Sequence, residues 1–197
     1  MTSLPLLAFV LALLTAAMAA IVPIYFGRRK PGYSHIRDTI SELGEIGSPI
    51  GRSVSYIGFI STGILLWLFL LVAAVAVPND ASDALVIMSL VGAGYVFGGI
   101  FRCDPAAPSV GSWRNTLHNI FGALEYVGAA GAFTTLKHSS FWSPLSEVLA
   151  PAGIVAFVCL LGMSFPHPFR GLLQRLAETI IFGGIVLMGW WVYRTAA

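Results

Sequence analysis

Charge is what this sequence has least of. Asp, Glu, Lys and Arg make up 10% of its 197 residues, against roughly 25% in a soluble globular domain. A water-exposed surface cannot be assembled from so few charges, so most of this surface must face lipid. The formal net charge is only +2, and no basic run with interleaved aromatics occurs, which excludes the usual electrostatic footprint of a nucleic-acid binder. Cysteine is scarce too. Cys103 closes one apolar segment and Cys159 sits in the middle of another; at such different depths a disulfide between them is not expected. There is no zinc-type cysteine pair, no H-E-x-x-H helix, no internal repeat and no low-complexity tract. The N-terminus lacks the positive start of a signal peptide. Ala17-Met18-Ala19 has the look of a cleavage site, but the apolar stretch runs on past it, so it is read as a retained first helix.

What is abundant is apolar side chain, 57% of the residues. A membrane-crossing helix needs about 20 mostly apolar residues. Segments near that length run over 4–26, 56–77, 84–101, 117–136, 148–165 and 176–193. Pro78, Pro105, Pro144 and Pro166 fall at or just beyond segment ends, where proline ends helices at little cost. The expected fold class is an all-α membrane protein. A single domain over 1–197 forms a bundle of six transmembrane helices, with a long, partly helical first cytoplasmic loop.

The basic residues are unevenly placed. Arg28, Arg29, Lys30, Arg37, Arg52, Arg102, Arg114, Arg170 and Arg175 lie in or beside the first, third and fifth loops, whereas only Lys137 and Arg194 lie opposite. By the positive-inside rule those three loops are cytoplasmic and both termini lie outside. Small residues are dense in the apolar segments, with Gly94 and Gly98 forming a GxxxG pair, as expected where helix backbones approach closely in lipid.

Chemistry-bearing residues gather at the basic end. The first loop is too long for a simple connector. Within it Ser34–Leu43 is expected to form a short interfacial helix, with Thr39 and Glu42 in capping-box spacing and Ile36, Ile40 and Leu43 on one apolar face. On that helix His35, Asp38 and Glu42 share a face beside Ser41. Such a patch can hold a metal, seat a phosphate-bearing head group through Arg37, or do acid–base work; it can also be a solvated, self-paired surface. After the third segment comes Arg102-Cys103-Asp104-Pro105. Asp104 is badly placed for the helix dipole, so a partner is expected in Arg114, Arg37 or a cation, unless the pair is a plain Asp-Pro turn. On the fourth segment His118, Gly122 and Glu125 form one stripe. Glu125 lies about 10 Å deeper than His118 and must be paired or protonated inside the bundle. Arg102 is the expected counter-charge, and Glu178 is expected to join from across the bundle. His167 is assigned to a surface turn and His138 to a loop on the opposite side.

Three short motifs carry a resemblance. They are Ile40-Ser41-Glu42-Leu43-Gly44, Cys103-Asp104-Pro105, and Leu117-His118-Asn119-Ile120-Phe121-Gly122. In this order, on a six-helix hydropathy frame, they resemble DUF998, a family of prokaryotic membrane proteins of unassigned function. The resemblance spans nearly the whole chain and implies six helices, with no mechanism. Many relatives carry a second cysteine after the Asp-Pro turn, where this chain reads Ala106-Ala107-Pro108. A looser chemical analogy is to membrane hydrolases related to alkaline ceramidase, which use a serine, an aspartate and three histidines around zinc. Ser41, Asp38 or Asp104, His35, His118 and His167 would be the counterparts, but the paired histidine motif on a late helix is missing.

The leading expectation is a cytoplasmic-side polar pocket for a lipid head group or small amphiphile. It would be formed by His35, Arg37, Asp38, Glu42, Arg102, Asp104, His118 and Glu125. The alternative is a metal-dependent hydrolase on a lipid-like substrate. Its zinc-type ligands would come from His35, Asp38, Asp104 and His118, with Glu42, Glu125 or Ser41 as catalytic groups. A proton-coupled transporter, or a subunit of a homo-oligomer or larger membrane complex, ranks third.

Overall fold

Helices account for every regular element among the residues that the computed structural model describes, 3–196. The long ones are α1 (Ser3–Gly27), α2 (Gly51–Ala76), α3 (Ser82–Ile100), α4 (Trp113–Thr135), α5 (Ser143–Met163) and α6 (Arg170–Ala196). Five, all but α4, are long and apolar enough to cross a membrane. The chain is therefore a multi-pass membrane protein. α4 falls short because it carries Arg114, Asn115, His118, Asn119 and Glu125, most of which it turns inward.

Each helix packs on its neighbours in sequence, and α6 returns to α1, so the helices form a closed ring. Lipid offers the helices no hydrophobic reason to associate, so close backbone approach must supply the contact. On α1 the inward face is Ala8, Ala12 and Ala19, while Leu6, Leu7, Leu14 and Ile21 stay exposed. A Cβ on Gly189 of α6 would stand 2.7 Å from Ala12 Cβ, which shows how closely the two helices lie. Pro23 and Pro151 are accommodated inside α1 and α5. α2 opens with a π-helical stretch, Val54–Ile60, that carries Phe59 to the ring's interior.

The loops sort to two ends. At one end Trp142 is fully buried and donates its indole N–H to Ala81 O (2.8 Å), and Ser139 donates to Asp80 Oδ2 (2.9 Å). At the other end the first, third and fifth loops meet: Ile46 N donates to Cys103 O (2.9 Å), Leu172 N to Ile36 O (2.9 Å), and Arg170 Nη2 to Ala107 O (2.9 Å). The basic residues thus converge at one end of the ring.

Candidate functional site: a capped polar chamber between α3, α4 and α6

The first loop does not form the expected helix. Only a single 3-10 turn, Ser41–Gly44, is regular, because the loop backbone is drawn onto the bundle at intervals shorter than a helix allows. Ile40 and Leu43 are buried, but Ile36 is half exposed at 53%. Glu42 reaches back as a capping residue should, accepting from Thr39 N (2.9 Å) and Thr39 Oγ1 (3.0 Å). The Thr39 hydroxyl therefore faces Glu42, and the second half of the capping box is not made.

Three cations hold this loop as a cap. Arg175 donates from Nε to His35 Nδ1 (3.2 Å), from Nη1 to Asp38 O (3.0 Å), and from Nη2 to the Tyr33 hydroxyl. Arg102 donates from Nε to Gly44 O (2.7 Å) and from Nη2 to Glu45 O. Lys30 donates to Glu42 O (2.6 Å) and pairs with Glu45 Oε1 (2.7 Å). The third loop is strained where it meets the cap: Ala106 and Ala107 have φ of 64° and 42°, a left-handed region that costs L-residues roughly 1–2 kcal/mol each. Glu45 Oε2, accepting from Ala106 N at 2.8 Å, helps to hold it there.

Beneath the cap lies a chamber of about 40 Å³. A water molecule needs about 10–15 Å³, so the chamber admits a few waters and nothing larger. Glu178 on α6 accepts from Tyr95 Oη on α3 (2.7 Å) and Tyr126 Oη on α4 (2.8 Å). Glu125 lines the same chamber as Glu178, and its Oε1 is buried without a partner. His118 Nδ1 lies 3.0 Å from Gly98 O and 3.0 Å from Phe101 O. Two acceptors face that nitrogen, so it carries the proton and donates, leaving Nε2 as an acceptor. Gln174 Oε1 accepts from Ile40 N (2.6 Å), tying the cap to α6.

Ser41, His118, Gly122, Tyr126 and Gln174 also line a second cavity, an open cleft of about 250 Å³ among α4, α5, α6 and the loops. Chamber and cleft are therefore adjoining compartments, with His118 and Gly122 between them. The family model for a protein of unknown function (DUF998) matches residues 7–191. The chain belongs to DUF998. No curated protein and no solved structure matches it. In this DUF998 protein the first-loop motif Ile40–Gly44 is the floor of the cap. The Cys103-Asp104-Pro105 motif is the turn beneath it, with Cys103 Sγ donating to Ser41 O (3.3 Å). Burial pushes that thiol up to about 12, so it stays protonated and inert. The α4 motif supplies His118 and Gly122.

The other sequence candidates are dispersed. His35 faces Arg175, while Asp38 is occupied by Arg37 Nε (2.7 Å) and Ser34 N (2.7 Å). Asp104 finds neither Arg114 nor Arg37 but accepts from Ser112 N (2.6 Å) and Ser112 Oγ (2.8 Å). Ser112 is itself the N-cap of α4. These bonds hold the Asp104 carboxyl below its usual range. Arg102 is not the counter-charge of Glu125; the loop carbonyls of Gly44 and Glu45 take its donors. Among the described residues no three His, Cys, Asp or Glu side chains converge as a metal site, so the ligand set His35, Asp38, Asp104 and His118 is not assembled. His167 does sit in a turn, accepting from Phe169 N at 3.0 Å. Tyr95, Tyr126 and Gln174 were missed. Their signal was there: Gly122 and Tyr126, like Gln174 and Glu178, are one helical turn apart.

The cap is sensitive to acid in a defined direction. Burial, then the charges of Arg175 and Arg28, hold His35 below its ordinary 6.5. The folded state therefore binds this proton less well than the unfolded chain, and His35 stabilises the fold fully above about 6.5, less as pH falls below it. Asp38 has the same sign in a more acidic window. Burial opposes its ionisation, but the Arg37 and Ser34 donors outweigh that and lower its pKa. Limited proteolysis of the first loop is expected to quicken as pH drops from 7 through about 6, and a His35→Gln variant should show a flat profile there. Equal profiles would remove His35 as the acid-sensitive contact.

Proposed function

We propose that this DUF998 protein binds a small polar or amphiphilic ligand, of lipid head-group size, in the cleft at the basic end of the ring. One observation carries the reading. A cleft of about 250 Å³ brings Ser109, His118, Asn119, Arg170 and Gln174 from one loop and two helices around one space. Pockets for small molecules combine apolar walls with convergent polar groups, and the cleft supplies both, with polar residues the more numerous. α5 contributes Leu160 and Met163, while Ser109, Asn119 and Arg170 contribute polar atoms. Arg170 spends Nε on Met163 O (3.0 Å) and Nη2 on Ala107 O (2.9 Å), which leaves Nη1 for an anionic group at the mouth. α4 serves as the sixth crossing, and the end with the basic loops faces the cytoplasm.

Gly122 offers a direct test. A Cβ there meets nothing within 4 Å, yet the residue lines the cleft. Gly122→Leu should fill the cleft without a packing clash and without loss of helix stability, since glycine is the weaker helix former by about 1 kcal/mol. Wild type purified in mild detergent is expected to carry an extractable small amphiphile, seen by mass spectrometry, that Gly122→Leu lacks. Gly183→Leu, also in open space but on the α1–α6 side, should retain it. An identical small-molecule profile in all three folded proteins would end the cleft reading.

A further inference from the structure

We infer that the Glu125–Glu178 pair is a proton-binding site that exchanges its proton with the cleft through His118. The inference starts from a charge count around the pair. From α2 the chamber receives Phe59, from α3 Tyr95, from α4 His118 and Tyr126, from α6 Gln174, and from the first loop Ile40 and Ser41. The nearest cation in sequence, Arg175, spends its donors on the cap. Among the described residues the ion pairs are Lys30–Glu45 and Arg37–Asp38, so neither chamber carboxyl has a cationic partner. Arg175 lines a neighbouring cavity together with Glu178, so its charge offsets at most one carboxylate, and a second in the same chamber would be uncompensated in a medium that strongly penalises it.

The hydrogen bonds say where the proton is. Two carboxyls that share so small a chamber with no ion pair hold a proton on one of them. Glu178 already accepts from two phenols, Tyr95 and Tyr126, at 2.7 and 2.8 Å, which is the environment of the charged form. Glu125 has no such donors and is therefore the protonated member. Its free oxygen, Oε1, is buried without a partner beside space for a few waters.

His118 supplies the way out. Its Nδ1–H is committed to the Gly98 and Phe101 carbonyls, so the Nε2 lone pair is the only ring site free to take a proton. His118 borders both compartments. In the exchange, the Glu125 O–H bond breaks as its proton passes to a chamber water, and that water gives a proton to Nε2, forming an imidazolium. The Nε2 proton then leaves to water in the cleft, and a proton entering by the reverse steps restores the pair. Each transfer breaks one O–H or N–H bond and forms another, with no redox partner. The proton site does not depend on the ligand proposed for the cleft.

Infrared spectroscopy of the purified protein in detergent tests this without any ligand. Wild type at neutral pH is expected to show a protonated-carboxyl C=O band that shifts promptly in D2O. Glu125→Gln, which keeps the shape, should lose the band. His118→Leu should keep the band but delay the deuterium shift, and so should Gly122→Leu, which fills the route and leaves the His118 imidazole in the chain. A wild type with no such band, or a band that survives in Glu125→Gln, overturns the proton assignment. A prompt deuterium shift in both folded route variants overturns the path. A sodium-dependent rise in melting temperature that Glu125→Gln abolishes would make the pair a metal-cation site, which also overturns the inference.

Discussion

Arg175→Ala is expected to release the first loop from the bundle at a cost of about 2–4 kcal/mol, since charge-assisted hydrogen bonds contribute about 1.5–3 kcal/mol each and these are not additive. One guanidinium joins α6 to Tyr33, His35 and the Asp38 carbonyl. Its removal leaves the Asp38 carbonyl without that donor and the Tyr33 phenol with only its bond to Thr39 O (2.9 Å). Burial already raises that phenol to about 12, so it cannot ionise to find another role. The measurement is thermal unfolding in detergent combined with protease mapping of residues 30–47. A melting temperature and cleavage pattern like those of wild type would mean that Gln174 and Arg102 hold the cap unaided. Arg175→Lys should recover little, because an ammonium cannot serve three acceptors in a plane.

Gly94→Val should be at least as damaging, and for a different reason. A Cβ at Gly94 would stand 2.6 Å from Glu125 Cβ and 2.9 Å from the Phe121 carbonyl oxygen. The second neighbour is backbone, which cannot rotate away, so α3 and α4 must separate. Overpacking commonly costs about 1–3 kcal/mol, and a β-branched residue lies at the upper end or beyond. The same shift would displace Glu125 from Glu178. Gly94→Val is thus expected both to lower the melting temperature and to remove the carboxyl infrared band, whereas Gly122→Ala, in open space, should do neither. Equal stability of the two variants would show that α3 and α4 are not packed through Gly94.

The contrast between those two glycines shows what was legible in the sequence. Gly94 and Gly98 stood out as a GxxxG pair, and both prove to be contact points: one admits Glu125, the other lends its carbonyl to His118. Gly122, which spacing put on one stripe with His118 and Glu125, is open space. Periodicity gives the face of a helix on which a residue lies, but not what the facing helix puts there. Glu125 illustrates the same limit. The sequence required a buried partner for it and suggested Arg102, at the end of the preceding helix. Arg102 instead donates to carbonyls that a folded loop presents, and what shares the chamber with Glu125 is a second carboxyl, from α6. Asp104 likewise found backbone and hydroxyl donors rather than a cation, because the turn that it begins closes on Ser112.

The sequence by itself determined that the chain is all-helical, crosses the membrane more than once, collects its basic loops at one end and belongs among DUF998 proteins. The first three follow from length, hydropathy and charge placement, which act locally and survive any rotation of the helices; the last rests on three short motifs and the family match. The tertiary structure alone decided the chamber. Closing α6 onto α1 set the rotation of every helix in the ring, and that rotation brought Tyr95, Glu125, Tyr126 and Glu178 together. It also pulled the first loop down as a cap, because Arg102, Gln174 and Arg175 offered its backbone better partners than a short helix could offer itself.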